Sequence, residues 1–227
     1  MNYWKKHFNE NVNKYRESLK RQVDMTLNGK EVDDKQITLR LNSIEKNLSL
    51  NSSDKLLDLC CGNGMLTKLV SSKVKFINAI DFSAKLIETA KKYNYDSNII
   101  YEIDDITKID LRKYNVNKIN IYSCIQYLSK DELNNLLFNL SFIKNSLIYI
   151  SNIPDKLKLF DYYNTEQKKD FYETSLRENK PHIGNWYTKD EFIEIAFKNN
   201  LNCKIVDIDK RINTSYYRFD AILIPKI

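Results

Sequence analysis

The stretch Lys55-Leu56-Leu57-Asp58-Leu59-Cys60-Cys61-Gly62-Asn63-Gly64-Met65 decides the fold. Its first six residues form a short apolar run with no helical spacing, which suits a strand buried on both faces of a parallel sheet. The run ends in Gly62-Asn63-Gly64, and a helix is expected from about Met65. The whole chain of 227 residues contains only 4 glycines, so two of them within three positions imply a backbone reason for their presence.

Downstream the same alternation continues. Strands are expected at 75–81, 98–103, 118–124 and 146–151, and two more close the chain near 203–208 and 219–224. Between them, Ser83 is placed to cap a helix carrying Leu86, Ile87 and Ala90. The boxes Ser129-Lys130-Asp131-Glu132 and Thr188-Lys189-Asp190-Glu191 start two more helices. Upstream, Trp4, Phe8, Val12, Tyr15, Leu19 and Val23 fall on one helical face and Ile37, Leu41, Ile44 and Leu48 on another, with Asn28-Gly29-Lys30 as a turn between them. Strands alternating with helices predict an α/β, Rossmann-like, doubly wound and mostly parallel seven-stranded sheet with helices on both faces. The expected division is an N-terminal helical cap over 1–50 and the Rossmann-like domain over 51–227, with an acceptor-binding insertion at 152–187.

Composition narrows the function classes. Hydrophobic residues are 42% and charged residues 29%, with a mean hydropathy of −0.53, which excludes a disordered chain and an integral membrane protein. No run of signal-peptide or membrane-spanning length is present, so a cytoplasmic location without membrane insertion is expected. The net charge of +6 comes from dispersed lysines rather than a basic block, which argues against a nucleic-acid partner. The 4 cysteines include no C-x-x-C pair, and the only histidines are His7 and His182. That pattern predicts no metal site and no disulfide framework, with Cys60, Cys61 and Cys124 as small core residues.

Ligands of doubly wound sheets bind beyond the carboxyl ends of the strands, so the residues ending each strand are the candidates. The first strand ends in the glycine turn, the second in Asp81, and the third in Asp104-Asp105-Ile106-Thr107. An acid about 20 residues beyond a glycine turn can accept the hydroxyls of a ribose. A dinucleotide would need a third small residue in the turn, but Thr67 occupies that position. A nucleoside without a pyrophosphate fits better, with Asp105 able to read an adenine amino group.

These residues resemble the class I S-adenosylmethionine-dependent methyltransferases over roughly Asp54 to Ser151. Leu56 to Gly64 looks like the family's glycine-rich motif, Ala79-Ile80-Asp81-Phe82-Ser83 like its ribose-binding acid, and Tyr101 to Ile106 like its adenine-binding acid. Cys60 departs from the glycine that many members carry at that position. The resemblance implies S-adenosylmethionine as cofactor and S-adenosylhomocysteine as product. Asp58, Cys60, Gly62 and Gly64 would serve the methionine side, Asp81 and Phe82 the ribose, Asp105 and Ile106 the adenine, and Ser123 the neighbourhood of the sulfonium.

Gln22, in the segment joining the two N-terminal helices, is expected to close over the cofactor. Gln126 and Tyr127, then Asp155, Tyr163, Trp186 and Tyr187 in the aromatic insertion, are the expected acceptor contacts. His182 is the expected base, followed by Asp155 and Tyr163. The implied reaction is methyl transfer to an oxygen or nitrogen of a small molecule. The segments Ile183 to Tyr187 and Tyr217 to Asp220 resemble those of bacterial methyltransferases associated with surface polysaccharides, whose acceptors are sugars or sugar-linked groups. An RNA or other nucleic-acid methyltransferase and a non-catalytic cofactor-binding module are the alternatives.

Overall fold

The computed structural model describes residues 2–27, 29–180 and 182–226. Asn28 of the expected turn and Pro181, which precedes His182, lie outside them.

The chain enters through α1 (Asn2–Lys14), whose Trp4 and Phe8 are buried against Leu86 with Val12 and Tyr127 packed beside them. The continuous helical face expected from Trp4 to Val23 stops at Lys14 and resumes only after Ser18. Its backbone is extended and its hydroxyl accepts from the Arg21 N–H, so a separate turn, α2 (Leu19–Gln22), begins there. A serine that offers the backbone a local partner competes with helix continuation. A short hairpin of β1 (Thr26–Leu27) and β2 (Lys30–Glu31) follows, then α3 (Asp34–Leu48), capped by Asp33.

The main sheet contains β3 (Lys55–Leu59), β4 (Phe76–Asp81), β5 (Ile99–Ile103), β6 (Lys118–Tyr122), β7 (Leu147–Pro154), β8 (Leu201–Val206) and β9 (Arg218–Pro225). Their spatial order is β5-β4-β3-β6-β7-β9-β8, and only β9 runs antiparallel to its neighbours. Period-two alternation divides the core between the two faces. Leu57, Leu59, Ile119, Ile121, Ile148 and Ile150 face α6 (Lys130–Leu140) and α9 (Lys189–Lys198). Leu56, Ile77, Ala79 and Tyr149 face α3, α4 (Met65–Val70) and α5 (Ala84–Tyr93). The chain runs outward through β3, β4 and β5 and then returns to β6, so the switch in strand order falls between β3 and β6.

Two expectations are corrected. Cys60 and Cys124 form a disulfide, with Cα atoms 6.2 Å apart, while Cys61 and Cys203 are free. The pair is separated by 64 residues, and only the adjacency of β3 and β6 brings their ends together. The 152–187 insertion is not a loop throughout. It contains α7 (Leu159–Tyr162) and α8 (Glu166–Arg177), the latter capped by Thr165, whose hydroxyl accepts from Lys168 N–H. Buried residues in α8 are confined to Ser175, so it lacks the apolar stripe by which a sequence announces a helix. Among the described residues no helix is long and apolar enough to cross a membrane.

Candidate functional site

A cavity of about 960 Å³ opens at the carboxyl ends of β3, β4, β6 and β7. Its size falls within the usual range for small-molecule sites. Besides Asp24 (φ 53°) in the N-terminal segment, three non-glycine residues on its wall have left-handed backbones: Cys60 (φ 60°), Ser123 (φ 49°) and Asn152 (φ 65°). Each follows or interrupts one of three adjacent strands. Such conformations cost on the order of 1–3 kcal/mol and cluster where a site demands them.

The floor is the glycine turn. Gly62 (φ 58°) lies under Val23, whose Cγ1 would stand 2.9 Å from a Cβ at that position. Gly64 (φ 75°) faces inward, where a Cβ would come within 2.5 Å of the Tyr101 hydroxyl oxygen. Beneath the turn, Asp58 accepts from the Thr67 hydroxyl at 2.6 Å and from the Asn120 amide at 2.8 Å. Thr67 therefore anchors the strand acid from the position where a dinucleotide fold would place a small residue. Burial raises the Asp58 pKa, and those two hydrogen bonds oppose the rise.

Asp81 is 4% exposed. Its Oδ2 accepts from the Gly62 N–H and its Oδ1 from the Ser83 N–H, both at 2.9 Å. A carboxylate has about four lone-pair sites, so each oxygen keeps capacity for one further donor. Burial pushes its pKa up to about 6, against the pull of those two N–H groups, and the Asp58 charge adds to the rise.

The roof comes from the N-terminus. Asn63 donates to the Leu19 carbonyl and to Gln22 Oε1, tying the glycine turn to α2. Val23 to Leu27 then line the cavity, together with Trp4, His7 and Phe8 of α1. Across from the glycine turn, the Tyr163 hydroxyl lies 3.3 Å from His182 Nδ1. His182 is exposed at the cavity rim, and partial desolvation of its imidazole lowers the pKa from 6.5; the Asp24 charge works against this and Arg218 adds to it.

Asp58, Cys60, Gly62, Asp81, Phe82, Ser123, Tyr127, Tyr163 and His182 all line this one space. Other expected residues lie outside the lining. Gly64 packs on Tyr101 behind the turn. Gln22 is 2% exposed and holds Asn63 instead of facing the cavity. Ile106 is in the core, and the Asp105 Oδ1 is taken by the Thr107 N–H and hydroxyl. Gln126 donates to the Ser123 carbonyl and hydroxyl from beneath. Asp155 and Tyr187 are paired with each other through a backbone bridge and are buried. Trp186 packs at tilted angles behind Tyr162, Tyr163 and Tyr217.

Sequence reading missed several wall residues. His7 Nε2 lies 2.7 Å from Asp24 Oδ2, and the Asn11 amide reaches Asp24 Oδ1 at 2.9 Å. Arg40 and Arg218 are further omissions. His7 lies beside the stripe of Trp4, Phe8 and Val12, which reads as packing, and neither arginine sits at a recognisable motif.

Residues 56–142 match the family model described as a methyltransferase domain. The chain is 31% identical over 119 residues to a probable cobalt-precorrin-6B C(15)-methyltransferase (decarboxylating) of Methanococcus vannielii, covering 48% of this chain and 64% of the relative. It is 32% identical over 106 residues to the malonyl-[acyl-carrier protein] O-methyltransferase of Bacillus anthracis, covering 44% of this chain and 39% of the relative. The chain thus spans less than two thirds of these curated relatives. In fold it is similar to the protein of the DhpI–SAH complex, with a TM-score of 0.68 at 12% identity over 99% of this chain and 96% of that one. Residues 56–142 thus carry a methyltransferase domain, and the fold is one shared with S-adenosylmethionine-dependent methyltransferases.

Proposed function

We propose that the protein transfers the methyl group of S-adenosylmethionine to an oxygen or nitrogen of a small molecule. The observation that carries this reading is the single cavity in which Gly62, Asp81 and Phe82 face Tyr163 and His182. The residues fit the cofactor. Asp81 retains acceptor capacity for ribose hydroxyls, and Gly62 leaves the floor without a side chain. Trp4, Phe8 and Tyr127 supply aromatic surface, which favours a cation.

S-adenosylmethionine, when bound, supplies an activated methyl and its own leaving group. The task left to the chain is to align the acceptor, a contribution of about 7–11 kcal/mol at best. His182 is the base in this reading. Its lowered pKa keeps the imidazole neutral at pH 7 and able to accept the acceptor's proton. The Tyr163 hydroxyl at Nδ1 orients the ring and leaves Nε2 for the acceptor. Asp24, held by His7 and Asn11, adds a negative charge that favours the imidazolium once it forms.

The enclosure of the cavity under α1 favours a small acceptor over a nucleic acid. The resemblance noted in the sequence extends the proposal to sugars and to sugar-linked or phosphorylated precursors of surface polysaccharides. The test is release of S-adenosylhomocysteine on incubation with sugar nucleotides, phosphorylated metabolites or RNA. Release with a small-molecule pool supports the proposal; release with RNA alone would replace it by nucleic-acid methylation, and release with none would leave a cofactor-binding module.

A further inference from the structure

We propose that the acceptor carries an anionic group, a carboxylate or a phosphate, and that Arg218 binds it. The proposal rests on the methyltransferase reading above and names its substrate class.

Charge on the cavity wall is unevenly matched. Each wall acid already has partners: Asp24 has His7 and Asn11, Asp58 has Thr67 and Asn120, Asp81 has two backbone N–H groups, and Glu178 has Lys180 at 3.0 Å. Arg218, the first residue of β9, has no ion-pair partner among the described residues. Its Nη1 donates to the Asn152 carbonyl, its guanidinium lies 5.0 Å from the Tyr217 ring centroid, and its Nε is buried with no acceptor. Asp220, two residues further along β9, is taken by the Tyr149 hydroxyl and the Asn152 N–H.

Arg218 is half-buried, and a guanidinium partly withdrawn from water without a counter-charge is costly, with the orphaned Nε donor adding to that cost. Its planar fork of N–H groups matches a carboxylate or phosphate. The mount is also built for the purpose. Asn152, held in a left-handed conformation at the β7 irregularity, grips Arg218 through its carbonyl. Its side chain accepts from the Thr214 hydroxyl and donates to Ser123 Oγ. Arg40 adds to the positive field. It is 5% exposed, and its nitrogens bond only the neutral acceptors Tyr122, Gln36 and Asn213. Arg218 shares the wall with Tyr163 and His182 and is close enough to depress the His182 pKa. An anion on Arg218 therefore sits beside the base and leaves the rest of the molecule to present the methyl-accepting atom.

The test is calorimetric titration of matched pairs into protein saturated with S-adenosylhomocysteine: 4-hydroxybenzoate against 4-hydroxybenzamide, and glucose 6-phosphate against glucose. The charged member of at least one pair is expected to bind at least tenfold tighter than its neutral counterpart. In Arg218→Gln that preference should fall below threefold, with S-adenosylhomocysteine affinity unchanged, and Arg218→Lys should retain an intermediate preference. Unchanged S-adenosylhomocysteine affinity also shows that the variants are folded. Equal binding of charged and neutral members, no binding of any charged member, or a preference surviving in Arg218→Gln would overturn the proposal. Failure of the parent protein to bind S-adenosylhomocysteine would overturn the methyltransferase reading, and the proposal with it.

Discussion

The two sides of the cavity are built in different ways. The cofactor side is compact in sequence: the glycine turn, Asp81 and Phe82 lie within 21 residues and sit at the ends of consecutive strands, β3 and β4. The acceptor side is gathered from the first 27 residues, from the 152–187 insertion and from the segment entering β9. Backbone geometry fixes the first, and side-chain contacts between distant segments fix the second. A change on the cofactor side should therefore act through the backbone or cofactor affinity, and a change on the acceptor side through turnover.

The sharpest break on the cofactor side is Gly64→Ala. A left-handed alanine costs about 1–2 kcal/mol, and pressing a Cβ into Tyr101 adds about 1–3 kcal/mol. Thermal unfolding should show a loss of about 2–5 kcal/mol; a change under 1 kcal/mol would mean that the turn is not under the constraint described. On the acceptor side, His182→Ala should lower kcat by about 10²-fold, roughly 2.7 kcal/mol, with cofactor affinity unchanged. In the parent, kcat should be on its plateau at neutral pH and fall as pH drops through the lowered His182 pKa, because protonation removes the base. A loss of less than threefold on an identified acceptor would make His182 structural.

Between the two sides lies the tie from Asn63 to α2. Gln22→Ala removes one of its hydrogen bonds and should cost about 1 kcal/mol. The cost should appear as weaker cofactor binding with little change in melting temperature; the reverse pattern would make the N-terminal segment packing only.

A pH-dependent effect follows from Asp81. Its pKa of about 6 stands above the ordinary 3.8, so the folded state holds more protons than the unfolded one between about pH 4 and 6. This group's contribution to stability therefore falls as pH rises through that window. Asp81→Asn should gain stability relative to the parent from pH 4 to 7, read by urea midpoints at each pH; a flat difference would contradict the burial assigned to Asp81.

Legibility in the sequence follows the same division. The sheet was readable because the strands around Leu57, Ile80 and Ile121 are short apolar runs ended by capping or turn residues, and the Ser83 and Ser129 caps are short-range patterns. Asp81 and Gly62 were readable because a strand end fixes where they point. Asp155, Tyr187 and Gln126 have the chemistry of acceptor contacts, but a backbone bridge and the Ser123 carbonyl claim them, and no local pattern signals such partners. The Cys60–Cys124 bond, the His7–Asp24 pair and Arg218 depend on which strands and helices are neighbours, which composition and spacing do not encode.

The most direct test of the account is calorimetric titration of S-adenosylmethionine into the parent protein and into Asp81→Ala. Micromolar binding by the parent, weakened at least tenfold or about 1.4 kcal/mol in the variant, is the predicted result. Equal affinity in both proteins, or NADH bound more tightly than S-adenosylmethionine, would contradict it.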